Sequence, residues 1–381
     1  MQAGEILRRA AFNGLDRLHG GKLAKIKAVN KREIVEGITE EYAQRRVEML
    51  LEHAKKHSAY YKDYQNARDI TDFPVMTKMK YNENKDTILC HMYQDKKDSL
   101  FQLKTSGSTG APFTVLCDGD KMNRVNMNFI SFMELNGFRM GMKRGEFRVW
   151  IPGKNVDISK WDVEMVFAMG EALPQKTYDE IREIFGFTAV RSYGNNENGF
   201  LACQVGDEDR YTVDLYNFYI EMLSLDSDEP VKPGELGRIV VTDYYNKAFP
   251  MIRYDTGDTG IYKEVTDEKG RKHGYFTEIY GRRGSMMYNC KGEPLSIHVF
   301  MNVLINMEGI VHQAKCIQWE KKRYELLLNA DRTRVNEEEV VASYRKYLGD
   351  EAQIDVTYVD EIPIEASGKR MVCVQKCPDY M

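Results

Sequence analysis

The pattern of elements changes at Gly281, and this constrains the fold more than any other feature of the chain. From residue 211 up to that glycine, strands and turns follow one another: YTVDLYNFYIEML, then GELGRIVVTDYY, then a loop at FPMIRYDTGDTG. Beyond it, LSIHVF, KCIQW, YELLLNA, QIDVTYV and MVCVQK read as strands, separated by helices expected at about 298–307 and 337–348. The second helix carries its own boundaries. Asn336 is placed as N-cap with Glu339 three residues on, Val340, Val341, Tyr344, Tyr347 and Leu348 fall along one face, and Gly349 is the stop signal. These elements suffice for a compact α+β unit of roughly 95 residues. At 381 residues the chain also exceeds the size at which a single core stops growing, so two domains are expected.

Upstream, Thr39 caps an expected helix over 39–57, with Ala43, Val47, Leu50, Leu51 and Ala54 at core spacing. Further helices are expected at 120–136 and 174–186, and a strand at FRVWI, 147–151. The segment KTSGSTGAP, 104–112, lies between strand-like stretches. Its glycines open backbone conformations closed to other residues, and Thr105, Ser106, Ser108 and Thr109 add hydroxyl donors, so it reads either as a surface linker or as a cradle for an anion. A P-loop NTPase would need GxxxxGK[ST] opening a helix, which this segment lacks.

Composition narrows the classes. The chain is 43% hydrophobic and 29% charged, which excludes a disordered chain, and no apolar run reaches the roughly 18 to 20 residues of a membrane helix. Charges inside MQAGEILRRAAFNGL break any secretion signal, so a cytoplasmic protein is expected. The seven cysteines show no paired CxxC spacing and read as free or buried thiols. A net charge of −4 gives no overall attraction to nucleic acid, and the run KLAKIKAVNKR, 22–32, reads as a solvated helix face.

Five short segments gain meaning as a set: KTSGSTGAP, MGEAL at 169–173, SYGNNENG at 192–199, RYDTGD at 253–258 with GRR at 281–283, and EASGKR at 365–370. In this order and at these separations the chain resembles the adenylate-forming (AMP-binding) superfamily, and within it the phenylacetate-CoA ligase-like branch with its relatives in capsular polysaccharide biosynthesis. HAKKHSAYY and FPVMTKMKY extend the resemblance ahead of the loop. The fold class this implies is α/β: a large N-terminal domain with mixed sheets over 1–281, and a small mobile α+β domain over 282–381.

The resemblance implies a two-step reaction. A carboxylate attacks the α-phosphorus of ATP to give an acyl-adenylate and pyrophosphate, and a thiol of coenzyme A or of a carrier protein's phosphopantetheine then displaces AMP. Donors and cations around the phosphates lower the barrier to the first step. By resemblance, Thr105, Ser106, Gly107, Ser108, Thr109 and Gly110 hold the β- and γ-phosphates, and Glu197 is the carboxylate associated with Mg²⁺, a hard cation that takes oxygen ligands. Gly170 and Glu171 lie along the base, and Tyr193 and Gly194 form an adenine-side platform, with Tyr193 as plain core the alternative. Asp258 accepts from the ribose hydroxyls, Arg282 sits near the ribose and α-phosphate, and Lys369 is the mobile catalytic cation. A homodimer is also implied, which nothing in the residues themselves encodes.

The chain departs from the family pattern in three places. Ala111-Pro112-Phe113 offers no lysine after the loop, which leaves phosphate charge for other groups to balance. The stretch 149–173 is short where relatives wall the acyl pocket, and GRR is followed by Gly284 and Ser285 rather than an acidic pair. Two rival readings follow: transfer of the acyl group to an amine or hydroxyl, and a nucleotide-binding partner subunit that has lost catalysis.

Overall fold

The computed structural model describes residues 3–104, 113–143, 163–169, 175–282, 286–295, 299–300, 310–363 and 372–380. Helices α1 (Ala3–Leu18), α2 (Lys22–Glu36) and α3 (Glu40–His57) open the chain. Thr39 caps α3 by accepting from the Tyr42 amide at 3.2 Å, and Ala43, Leu50, Leu51 and Ala54 are buried, as the sequence spacing predicts. Short helices α4 (Lys78–Glu83) and α5 (Lys85–Ile88) follow, then α6 (Gly119–Leu135) and α7 (Gln175–Phe185).

The lysine run is a solvated face only in part: Lys22, Lys25 and Arg32 are exposed, but the run is also paired and its helix half-buried. Ile26, Asn30 and Ile34 of α2 are buried, while Lys27 and Lys31 reach Glu134 at 2.6 and 3.0 Å and Lys22 reaches Asp120 at 2.7 Å. Both carboxylates belong to α6, a partner that the local charge pattern cannot reveal.

Strands before the main sheet are β1 (Ile38–Thr39), β2 (Phe101–Lys104) and β3 (Thr114–Cys117), the last two forming a hairpin that flanks residues 105–112. The main sheet runs through β4 (Phe167–Ala168), β5 (Val190–Asn195), β6 (Gly199–Cys203), β7 (Tyr211–Val213), β8 (Phe218–Leu223), β9 (Leu236–Asp243), β10 (Tyr254–Thr266) and β11 (Arg271–Arg282). Its order is β4-β5-β6-β7-β11-β10-β9-β8, with β1 added to β11 and β4–β5 the parallel pair in an otherwise antiparallel sheet. Gly37 lets β1 approach, since a Cβ there would lie 2.6 Å from the Lys272 carbonyl oxygen.

The C-terminal part builds its own sheet and core. After the short pair β12 (Met287–Tyr288) and β13 (Pro294–Leu295), strands β14 (Val311–Glu320), β15 (Arg323–Ala330), β16 (Gln353–Tyr358) and β17 (Cys373–Gln375) pair in the order β16-β15-β14-β17. β15 and β16 are parallel, and helix α8 (Glu337–Leu348) supplies the crossover that parallel neighbours require. Asn336 caps α8 as expected, and Val340, Tyr344 and Leu348 form its buried stripe. Tyr347 is 42% exposed, because the four-residue steps from Val340 leave it off that face. LSIHVF is also a correction: strand pairing stops at Leu295, and Val299 and Phe300 are helical. FRVWI lies outside the described residues. Phe300, Cys316, Tyr324, Leu326 and Leu328 pack with the α8 stripe as a core separate from that of the main sheet, the mark of a second domain. All seven cysteines are free thiols, and among the described residues no helix is long and apolar enough to cross a membrane.

Candidate nucleotide site

RYDTGD turns the chain into β10, and most of its residues are tied down. Arg253 adopts φ 49°, and this left-handed backbone is held by its ion pair to Glu221 at 2.9 Å and by donation to the Phe73 carbonyl at 2.8 Å. Asp255 is paired to Arg238 at 2.6 Å, Thr256 donates to the Ile239 carbonyl, and Gly257 turns with φ 77°. This framework sets Asp258 opposite Arg282 in the β10–β11 register. The sequence motifs RYDTGD and GRR therefore meet as cross-strand neighbours.

Tyr193 comes from β5 and donates its hydroxyl to Asp258 Oδ2 at 3.0 Å. Its ring is 8% exposed and stands edge-on to Phe276 at 5.7 Å, so it belongs to the core and offers no open face for a base to stack on. Burial pushes Asp258 up to about 6, while the Tyr193 hydroxyl and then Arg282 pull it back. The missing side chain of Gly194 serves the hairpin itself, since a Cβ there would lie 2.5 Å from the Gly199 carbonyl oxygen.

Glu197 sits in the turn between β5 and β6, is 6% exposed, and accepts from the Tyr254 hydroxyl at 2.8 Å. Burial and the neighbouring Glu197 carboxylate raise the Tyr254 phenol far above its ordinary range, so it remains a donor. In the same turn Asn196 donates to the Lys104 carbonyl at 3.1 Å. On the other side of residues 105–112, the Phe113 ring packs against Tyr254 at 6.2 Å. Both described flanks of the Gly/Ser/Thr segment thus abut the Glu197–Tyr254 pair. Residues Thr105 to Gly110 themselves, together with Gly170, Glu171 and Lys369, lie outside the described residues.

Lys78, inside the FPVMTKMKY segment to which no role was assigned from sequence, stands near this cluster. Met76 exchanges backbone hydrogen bonds with Arg253 and Asp255, at 2.9 and 3.0 Å, and Thr77 then caps α4 with Lys78 as its first residue. Burial lowers the Lys78 ammonium, Glu197 raises it and Arg282 lowers it further, so all three charges act on one another. A separate groove of about 870 Å³ runs along β8, lined by Phe73, Tyr219, Glu221 and Glu264, and includes none of Glu197, Asp258, Arg282 and Lys78.

The cluster can do three things chemically. It presents a carboxylate to hydroxyl donors, places two cations where anionic oxygens would need balancing, and holds a second carboxylate with hard oxygen atoms. Among the described residues no three His, Cys, Asp or Glu side chains converge on a metal position.

The chain has the fold of the adenylate-forming ligases. Among solved structures it is similar to 2-hydroxyisobutyryl-CoA ligase in the postadenylation state in complex with R3-HIB-AMP, with a TM-score of 0.68 and 14% identity over 89% of this chain and 90% of that one. The same ligase matches at 0.58 in an open conformation with 2-HIB-AMP and CoA (14% identity, 84% and 88% coverage). It matches at 0.53 in the thioesterification state (16%, 88% and 90%). At these identities the likeness shows the fold. No protein-family model and no curated protein sequence matches the chain.

Proposed function

We propose that the chain activates a carboxylic acid with ATP and transfers the acyl group to a thiol, as a ligase of the phenylacetate-CoA ligase-like branch. The observation that carries this reading is the convergence of Asp258, Arg282, Glu197 and Lys78 beside both flanks of the Gly/Ser/Thr segment. Asp258 would accept from the ribose hydroxyls, and Arg282 and Lys78 would balance phosphate charge. Glu197 would take Mg²⁺, which neutralises phosphate oxygens when bound. In the first step a carboxylate oxygen bonds to the α-phosphorus and the bond to pyrophosphate breaks. In the second, the thiol sulfur bonds to the acyl carbon, AMP leaves, and the thiol proton passes to solvent. The thiol would be that of CoA or of a carrier protein's phosphopantetheine.

By the same reading Thr105 to Gly110 cradle the β- and γ-phosphates, Gly170 and Glu171 flank the base, and Lys369 brings an ammonium to the reacting carboxylate. The domain boundary falls at Gly281 and Arg282, where the main sheet ends. Acid-dependent exchange of labelled pyrophosphate into ATP, run across a panel of carboxylic acids and followed by thiol trapping, tests the proposal. Exchange with some acid and thioester formation are expected. Nucleotide binding without exchange for any acid would leave the degraded binding subunit as the better reading.

A further inference from the structure

Three side chains of α6 meet the backbone immediately after Glu197. Lys121 donates to the Asn198 carbonyl at 3.1 Å, and Asn128 donates to the Phe200 carbonyl at 3.2 Å. Between them lies Gly199, with φ 94°, where an added Cβ would lie 3.1 Å from Val125 Cγ1. Positions 121, 125 and 128 are spaced to share one helix face, so α6 lies against this segment as a clamp.

Lys121 is 2% exposed, and its ammonium pairs with Asp243 at 2.5 Å, a fully buried residue at the end of β9. It also stands 5.0 Å from the Phe218 ring centroid. One buried ammonium therefore joins α6, the end of β9 and the Glu197 turn. Apolar residues of similar volume can replace a buried ion pair with little loss of stability, so the pair needs a reason other than packing. That reason is at hand in the Asn198 carbonyl. Besides the Asn196–Lys104 and Tyr254–Glu197 bonds, the Asn198 backbone N–H donates to Asn195 Oδ1 at 2.7 Å, while the fully buried Asn198 side chain has no hydrogen-bond partner among the described residues.

We infer that Lys121 is a positioning residue that fixes the turn Asn196–Asn198, so that the Glu197 carboxylate meets Tyr254 and faces the nucleotide. The inference rests on the nucleotide-site reading of Glu197. It has a mechanical corollary, because α6 follows β3 directly, and β3 leads out of residues 105–112. One helix thus fixes both the strand that leaves the phosphate segment and the carboxylate assigned to the metal.

The test uses the full chain carrying Lys121→Met together with Asp243→Asn, which removes both charges and leaves neither stranded. Amide hydrogen exchange over residues 195–200 is read first, then ATP affinity with Mg²⁺ and AMP affinity by calorimetry. Exchange in the turn is expected to rise about tenfold while the rest of the main sheet keeps its protection. ATP with Mg²⁺ should weaken about tenfold while AMP, which does not need Glu197, stays within about twofold. Val125→Ala, a milder change on the same face, should move both readouts in the same direction by about threefold and guards against a double variant that fails to fold. Met133→Ala, buried on the same helix, should lower stability without altering exchange in the turn. Unchanged exchange at 195–200 in folded variants, or equal losses for ATP and AMP, would overturn the inference. If the unaltered chain binds neither nucleotide, the nucleotide reading fails, and the exchange data alone decide the clamp.

Discussion

Asp258 and Asp214 are both pushed up to about 6 by burial, yet they occupy opposite situations. Asp214 is fully buried and its oxygens are taken: the Asn128 and Asn217 amides donate at 2.5 Å each, and the Tyr216 and Asn217 backbone N–H groups at 3.0 and 3.1 Å. Asp258 is half-buried, and among the described residues its carboxylate accepts from the Tyr193 hydroxyl at 3.0 Å, with Arg282 across the strand pair. An ionised carboxylate has about four acceptor sites. Asp214 is thus saturated by the fold, whereas Asp258 keeps capacity toward solvent. A raised carboxyl marks a site only when acceptor capacity is left over, and that difference separates structural support from recognition.

The largest expected effect tests the saturated side. Asp214→Ala strands two amides and two backbone N–H groups, and each buried unsatisfied group costs about 1–3 kcal/mol. Thermal and urea unfolding should show a loss of at least about 3 kcal/mol, while the folded fraction binds AMP as before. A loss under about 1 kcal/mol would erase the contrast.

A second experiment sharpens the contrast through pH. Adenosine is the suitable probe, because AMP's own phosphate titrates near the same pH. Ionised Asp258 accepts from both ribose hydroxyls more strongly than the protonated acid, whose O–H is a donor, so adenosine affinity should rise about tenfold between pH 5 and pH 7. Stability should run the other way. Both carboxyls sit above their unfolded value of 3.8, so from there to about 6 the folded chain keeps protons that the unfolded chain has released, and stability falls as pH rises. Asp258→Asn should flatten the binding profile; a slope that survives this change would detach it from Asp258.

The smallest effect belongs to Tyr193→Phe. Losing the hydroxyl removes a bond that favours the ionised carboxylate, so the midpoint for adenosine should move to higher pH. Affinity at pH 7 should fall about threefold, and the gap should close by about pH 8.5. An unshifted midpoint would mean that the hydroxyl does not orient Asp258.

Features written in local signals were legible in the sequence. Thr39 and Asn336 announce their helices by side chains that accept from the first turn, and the stripes behind them match the buried faces. Asp258, Arg282 and Glu197 were singled out because short motifs carry them. Lys78 was given no role, although FPVMTKMKY carries it, because its place beside Glu197 and Arg282 depends on the Met76 backbone pairing with Arg253 and Asp255. Lys121 and the partners of the 22–32 lysine run are tertiary facts, set by how α6 packs, and no local pattern encodes them. Tyr193 shows the limit of motif reading: the motif locates it, and only packing reveals that its ring is core while its hydroxyl donates to Asp258.

Calorimetric titration of AMP at pH 8 into the unaltered chain and into Asp258→Ala, with a thermal melt of each, tests the recognition role of Asp258 most directly. The unaltered chain should bind AMP saturably at one site. Charge-assisted hydrogen bonds contribute about 1.5–3 kcal/mol, so the variant should bind about 10- to 100-fold more weakly. Its melting temperature should be unchanged or higher, since a carboxylate that burial disfavours has been removed. Equal affinity in the two proteins, or an affinity that falls only in step with the melting temperature, would contradict the assignment of Asp258 as the ribose acceptor.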